Sequence, residues 1–284
     1  MLHLPLARAR RVLDADLRGS SWPVLVETDA GVLFTKLRGA GQGAPPLIAE
    51  IIVASLGEAI GLHVPARRLV SIDAGIESLN QRDELRDLLD RSAGLNLGFA
   101  YLDGARMFLP ADAPRVSDDD AAAILWLDAL VMNPDRTPRN PNMMWWHDRL
   151  WLIDHGASLG FQYAWSDVHE AAPARPFAVN DVHVLQSRVA DIDAWDEILA
   201  HRLTRETIEA AVAEVPDDFL VASGADPAAL DRRRAAYVAY LWKRLKAPRD
   251  FFRPMALRKE PERNWSGRPD RLKYTNTRPL DGNR

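Results

Sequence analysis

The chain has no cysteine among its 284 residues. That absence excludes disulfides, thiolate metal sites and a cysteine nucleophile, and it fits a reducing cytosol. The formal net charge is only −4, so no excess of either sign predicts binding to nucleic acid or an anionic membrane. No apolar run approaches the roughly 18 residues of a membrane-spanning helix, and the first six residues are too short for a signal peptide. We expect a cytoplasmic protein with no nucleic-acid partner and no membrane insertion.

Lysine is also scarce, because Lys36 is the only lysine in the first 240 residues and arginine supplies the other positive charges there. It lies late in the β-rich run Val32–Leu37, which the turn Asp29–Gly31 joins to an earlier run, Trp22–Thr28. This pattern predicts a β-hairpin. The spacing of the apolar residues that follow predicts a helix over Leu47–Ile60.

A strand lysine beside a helix glutamate is the arrangement with which protein kinases hold the α- and β-phosphates of ATP. We therefore predict that Lys36 binds the nucleotide and that Glu50, in the following helix, positions Lys36. Glu58 is a competing acid in the same helix, two turns further from its start. The alternative is that these residues are merely solvated, as single lysines and glutamates usually are.

Two short polar segments supply the other groups of a phosphoryl-transfer site. Asp135 is followed five positions later by Asn140, and Asp154 ends an apolar strand just before a glycine. Asp135 could orient an attacking hydroxyl or accept its proton, while Asn140 and Asp154 could ligate Mg²⁺. Asn142 is a rival metal ligand. Taken alone, each of these residues also fits an ordinary turn.

Two glycine-containing segments are candidates for the loop that covers the phosphates. Gly19, Ser20 and Ser21 precede the first strand of the hairpin, and we predict that they contribute backbone amides to the nucleotide site. Gly39–Gly43, after the lysine strand, is the second candidate. Neither matches the Walker A pattern, and no G-x-G-x-x-G joins a strand to a helix, so P-loop and Rossmann sites are excluded.

The remaining segments outline the rest of the chain. Residues 73–115, with a Gly-punctuated stretch at Gly94–Gly98, are expected to connect two lobes, and Arg8, Arg10 and Arg11 are expected to form a solvated face. The Ser117 cap and three following acids predict a helix to Val131. A hairpin is predicted across residues 143–153, and helices across residues 179–245. The residues from 258 to 284 are poor in apolar side chains, which indicates a disordered or surface-draped tail.

With Lys36, Glu50 and the Asp135 loop in this order, the chain resembles the HipA-like kinase family. The stretch Asp128–Asn142 is similar to the N-x-D-R-x-x-x-N catalytic loop of that family, and the residues that enter the first hairpin strand resemble its compact single-domain branch. The resemblance covers roughly residues 15–160. His155 stands where many protein kinases have the Phe of Asp-Phe-Gly, so a Phe-based switch is not carried over.

The resemblance implies an α+β, two-lobed protein-kinase-like fold. We expect a small β-rich nucleotide-binding lobe and hinge at residues 1–110, a larger, mostly helical catalytic lobe at 111–257, and the tail. The implied function is ATP- and Mg²⁺-dependent phosphoryl transfer to a hydroxyl acceptor, favouring a protein Ser/Thr. A small-molecule or lipid kinase, and a catalytically silent nucleotide-binding module, are the alternatives. Toxin activity and an antitoxin partner belong to particular members of the family and are not inferred.

Overall fold

The computed structural model describes residues 4–15, 22–175, 177, 183–189 and 192–247. All of them belong to one structural unit, Met1–Pro254. Within these ranges no helix has the length and apolar character needed to cross a bilayer. The predicted tail at 258–284 and the predicted loop Gly19–Ser21 lie outside the described residues.

The described residues form a mixed α+β structure, with most strands in the first half and most helices in the second. The strands are β1 (Leu6–Ala15), β2 (Val24–Thr28), β3 (Gly31–Lys36), β4 (Arg67–Ile72), β5 (Glu77–Ser78), β6 (Gly94–Ala100), β7 (Arg106–Met107), β8 (Met143–Trp146) and β9 (Arg149–Leu152). The helices are α1 (Pro45–Ala59), α2 (Asp83–Arg91), α3 (Asp118–Val131), α4 (Asp193–Arg202), α5 (Arg205–Ala213), α6 (Asp217–Ala222) and α7 (Leu230–Lys246).

The main sheet curls until it meets itself. Its strand order is β2-β3-β6-β4-β1-β5, and β1 pairs a second time with β2. The β2–β3 hairpin has the predicted turn, with Thr28 opposite Gly31. Strand β3, which carries Lys36, lies inside this sheet and is hydrogen-bonded on both sides, to β2 and β6. Hydrogen bonds on both edges of the strand hold the backbone from which the Lys36 side chain extends.

Two features of this sheet were not predicted. Gly94–Gly98 is not a connection between lobes but most of β6, which lies between β3 and β4. The glycines were interpreted as a loop signal, but Gly98 is a glycine because no side chain fits there. A Cβ at this position would lie 2.6 Å from Val70 and 3.1 Å from Leu33. A glycine in a strand can mark a close approach of neighbouring groups as well as a loop.

The second missed feature is β1, which contains the arginines expected to be solvated. Arg8, Arg10 and Arg11 are indeed exposed, whereas Ala7 and Ala9 on the opposite face are buried. Alanine has low strand propensity, and bulges interrupt the pairing with β2, so the two-residue alternation is weak in the sequence.

Helix α1 is buried on nearly every side. Ten of its fifteen residues are buried, and eight of these are apolar residues that pack in one core with side chains of β6, α3, α5 and α6. Pro45 and Pro46 begin the helix, where a missing amide hydrogen costs no helical hydrogen bond. A helix that is apolar all round belongs in a core, and this one carries Glu50 into it.

Helix α3 and the β8–β9 hairpin deliver the second half of the site. Ser117 caps α3 by accepting a hydrogen bond from the Asp120 amide at 3.1 Å, as predicted. The helix ends at Val131, and the next residue, Met132, adopts a left-handed conformation with φ +57°. The chain then turns through the Asp135 loop into the predicted hairpin, whose second strand leads directly to Asp154.

Candidate active site

Three residues chosen from the sequence meet at one point. Lys36, the last residue of β3, places its Nζ 2.5 Å from Glu50 Oε1 and 2.6 Å from Asp154 Oδ1. Lys36 and Asp154 are 118 positions apart in the chain, so the contact is made by the fold and not by local sequence. Lys36 and Glu50 are buried, whereas the Asp154 side chain is 38% exposed and reaches the surface of the site.

Glu50 links the lysine to the backbone that follows Asp154. Its Oε1 also accepts a hydrogen bond from the Gly156 amide at 3.0 Å. A Cβ on Gly156 would lie 3.2 Å from Pro46 and 3.4 Å from Glu50 Oε1, so a larger residue would crowd this contact. Asp154 itself has φ +56°, a left-handed conformation that non-glycine residues seldom adopt and that often marks functional sites.

The electrostatics of this cluster follow from burial and ion pairing. Burial alone would lower the pKa of Lys36, but the carboxylates of Glu50 and Asp154 raise it above its usual range. Burial raises the pKa of Glu50 against the opposing effect of Lys36. Burial would likewise raise the pKa of Asp154, but the Lys36 ammonium group holds it below the usual range. Asp154 therefore presents a charged carboxylate at neutral pH.

The Asp135 loop is a compact turn that orients its own side chains. The Asp135 amide donates to Asn133 Oδ1 at 3.1 Å, and Asp135 Oδ2 accepts from Asn140 Nδ2 at 2.8 Å and from Asn142 Nδ2 at 3.2 Å. Both side-chain amide nitrogens point at Asp135, so the side-chain amide oxygens of the two asparagines face away from it. An amide oxygen is an acceptor and can ligate a cation. Asn140 is exposed, whereas its rival Asn142 is buried.

A buried ion-pair network underneath this loop was missed by sequence reasoning. Asp128, near the end of α3, accepts from Arg136 Nε at 2.6 Å and from Asn133 Nδ2 at 2.8 Å. His183 Nε2 lies 3.0 Å from the same carboxylate, and Arg136 Nη1 donates to the Asn142 carbonyl at 2.5 Å. One signal was available: Asp128 is a carboxylate in an otherwise apolar helix, and buried carboxylates need partners.

Asp128 is charged and His155 is neutral at neutral pH. Burial would raise the pKa of Asp128, but the Arg136 guanidinium group and His183 hold it well below its usual range. Burial, and then the charge of Arg136, lower the pKa of His155 to about 3, so its imidazole is neutral. His155 Nδ1 lies 3.5 Å from Arg136 Nη2, and His155 is fully buried. The histidine beside Asp154 is thus packed against the network.

The two halves of the site line one cavity of about 200 Å³. Lys36, Asp135 and Asp154 all contribute to its wall, as do Gly156 and the stretch Ala40–Gly43. The second glycine segment considered from the sequence therefore lies at the site. The first, Gly19–Ser21, is outside the described residues.

The competing acid in helix α1 lies elsewhere. Glu58 is paired with Arg67 at 2.8 Å and its side chain is half exposed, so it makes a different contact from Glu50. Arg67 also donates to Ser55 at 3.1 Å. The structure therefore brings Glu50, and not Glu58, to Lys36.

The donor groups around the cavity suit Mg²⁺ bound together with a nucleotide. Among the described residues, no group of three or more His, Asp or Glu side chains could hold a metal ion unaided. Mg²⁺ in nucleotide sites usually takes one or two carboxylates and completes its shell with phosphate oxygens and water. The exposed Asp154 carboxylate and the nearby amide oxygens are ligands of this hard, oxygen-only type.

Comparisons with known proteins agree with this geometry. The crystal structure of a Helicobacter pylori proinflammatory kinase, CtkA, matches 88% of this chain and 97% of its own chain, with a TM-score of 0.52 and 10% identity. At this identity the match shows the fold alone, which is kinase-like. No curated protein matches the chain.

The family comparison extends further. The model of the HipA-like kinase family matches residues 10–238, which include both halves of the cavity wall and most of the described helices. The match covers well over half of the chain and confirms the resemblance inferred from the Asp135 loop. The chain therefore belongs to the HipA-like kinase family and is a phosphotransferase.

Proposed function

We propose that this protein transfers the γ-phosphoryl group of ATP, with Mg²⁺, to a hydroxyl acceptor, and that the acceptor is a protein Ser or Thr. The observation that carries the proposal is the Lys36 ammonium group held between Glu50 and Asp154, with Asp135 on the wall of the same cavity. A kinase-type site needs a cation for the phosphates, a carboxylate for the metal ion and a proton acceptor around one space, and these three residues have the side chains for those roles.

Each residue has a distinct role in the proposal. Lys36 contacts the α- and β-phosphates, and Glu50 keeps its ammonium group in place. Asp154 and Asn140 ligate the metal, with Asn142 as the alternative to Asn140. When bound, Mg²⁺-ATP supplies the transferable group and the charge neutralisation. Asp135 orients the acceptor hydroxyl and takes its proton as the new bond forms.

The same proposal extends to the organisation of the chain. Residues 1–110 would form the nucleotide-binding lobe and hinge, and residues 111–257 the catalytic lobe, with Gly19, Ser20 and Ser21 covering the phosphates. We place the protein in the cytoplasm. A lipid or small-molecule acceptor and a silent nucleotide-binding module remain the competing functions. Labelling of Ser or Thr in a protein mixture with radiolabelled ATP would support the protein acceptor. ATP turnover without labelled protein would support a lipid or small-molecule acceptor, and nucleotide binding without turnover would support the silent module.

Nucleotide binding is tested by thermal and urea denaturation with Mg²⁺-ATP. At a nucleotide concentration about 100 times the dissociation constant, the free energy of unfolding should rise by about 2.7 kcal/mol. Lys36→Met should abolish most of that increase, because the cation for the phosphates is gone. An equal increase in parent and variant would remove Lys36 from the site.

Lys36→Met also strips Glu50 of its ion-pair partner, so it can lower stability for a reason unrelated to binding. The double variant Lys36→Met/Glu50→Gln is the matched control, since it removes both charges and keeps an amide oxygen for the Gly156 hydrogen bond. We expect the double variant to regain stability without regaining nucleotide binding.

A further inference from the structure

Helix α7 is hydrogen-bonded to the chain segment that follows Asp154, the proposed metal ligand. This segment, residues 157–175, consists of loops and short 3₁₀ turns. The Tyr237 hydroxyl donates to Gln162 Oε1 at 3.0 Å, and the Tyr240 hydroxyl lies 3.4 Å from the Ala172 carbonyl. Because residues three positions apart lie on one face of a helix, the two tyrosines approach the segment from the same face of α7. Lys243 adds an exposed ion pair with Glu170 at 2.7 Å.

Arg244, on the same face, makes the densest set of these contacts. It is fully buried and donates to four backbone carbonyls: Nε to Leu130 at 2.7 Å, Nη2 to Ala129 at 2.9 Å, and Nη1 to Pro173 at 2.9 Å and Arg175 at 3.0 Å. Burial lowers the pKa of Arg244 to about 10, so the group stays charged at neutral pH. A planar guanidinium group with five donors suits this task, and an ammonium group does not.

The four carbonyls belong to two chain segments that adjoin the cavity. One precedes Asp135, and the other follows Asp154. Ala129 and Leu130 lie in the last turn of α3, where a cation is favoured by the helix dipole. The Ala129 carbonyl also accepts a long 3.4 Å hydrogen bond from the Met132 amide. That turn leads within five residues to Asp135. Pro173 and Arg175 lie at the far end of the segment that begins after Asp154. One side chain therefore joins the origin of the Asp135 loop to the segment after Asp154.

We propose that Arg244 is a positioning residue for phosphoryl transfer: it fixes the Asp135 loop relative to the segment that follows Asp154. The proposal rests on the roles proposed above for Asp135 and Asp154. It extends beyond the family match, which ends at residue 238. It also implies that helix α7 orders residues 157–175.

Arg244→Lys tests the proposal, because lysine keeps the charge but cannot reach all four carbonyls. Arg234→Lys is the matched control: Arg234 lies on the same helix and donates to the Val215 carbonyl at 2.8 Å and to Asp217 at 2.6 Å, away from the cavity. Tyr240→Phe is a milder second variant that keeps the ring stacked on Phe161 and removes only the hydroxyl.

Two readouts are compared at a fixed interval below each variant's melting temperature. In hydrogen–deuterium exchange with mass spectrometry, Arg244→Lys should speed exchange about tenfold in residues 157–175, and Tyr240→Phe should do so less. In Mg²⁺-ATP turnover, Arg244→Lys should lower kcat about 10- to 100-fold with KM for ATP nearly unchanged, because misplacement of the reacting groups does not remove the phosphate contacts. Arg234→Lys should do neither.

A purely structural role for Arg244 predicts a different result. It would lower the melting temperature but leave exchange in residues 157–175 and kcat at parental values, and that outcome would overturn the proposal. If the parent shows no turnover of ATP, the proposed function fails, and the exchange measurement alone decides whether Arg244 orders the segment.

Discussion

Asp135→Asn should abolish most phosphoryl transfer while leaving nucleotide binding nearly intact. A group that takes a proton from the acceptor acts chiefly in the transition state, so its loss lowers kcat by about 10²–10⁴. Asparagine keeps the size of the side chain and can still accept from Asn140 and Asn142. ATP affinity should change by less than a few-fold. The measurement is kcat for phosphorylation of an acceptor protein, or for slow ATP hydrolysis, beside a Mg²⁺-ATP binding isotherm.

Asp154→Asn is the matched comparison, because it changes a carboxylate to an amide at the proposed metal ligand. Binding and turnover should fall together, since a neutral oxygen holds Mg²⁺ less strongly. Parental turnover in Asp135→Asn together with lost turnover in Asp154→Asn would contradict the assignment of the proton acceptor. Parental turnover in both variants would contradict the proposed function.

Asp128→Asn should cost about 3–5 kcal/mol of unfolding free energy at pH 7, because Arg136 is left as a buried cation without its anion. The pKa of Asp128 is lowered in the folded protein, so its contribution is complete above the unfolded carboxyl pKa of about 3.9. That contribution is lost as the pH falls below this value towards the folded pKa. The difference between parent and variant should therefore narrow as the pH falls below about 4.

Urea denaturation at several pH values measures this difference. Asp118→Asn serves as the control, because Asp118 lies at the other end of α3 in an exposed ion pair with Arg188. Such pairs contribute little to stability. Equal stability losses in the two variants, or a difference that widens at acid pH, would contradict the buried network as the source of the effect.

The meeting of Lys36, Glu50 and Asp154 could be predicted because these residues are unusual in their local sequence. Lys36 is conspicuous in a lysine-poor chain, and Asp154 ends an apolar strand before a glycine. The choice between Glu50 and Glu58 was harder. Eight residues apart, they lie about 80° from each other around the helix. Only the packing of α1 decides which of them meets β3.

The parts that could not be predicted depend on contacts between distant segments. The sequence shows that Asp128 lies in an apolar helix, but it does not identify Arg136 and His183 as its partners. Strand β6 was mistaken for a connection because the tight packing at Gly98 is set by Val70 and Leu33. The kinase-like fold and the family were predicted correctly, since both depend on the short-range pattern of the Asp135 loop.

The burial of helix α1 has a kinetic consequence. Many kinases are switched by moving the helix that carries the glutamate, which makes and breaks its ion pair with the lysine. Here that helix is surrounded by core side chains, and tilting it would expose apolar surface at about 0.8 kcal/mol for each CH₂ group uncovered. The Lys36–Glu50 pair is therefore assembled in the resting protein, and turnover after mixing with Mg²⁺-ATP should begin at its full rate, without a lag.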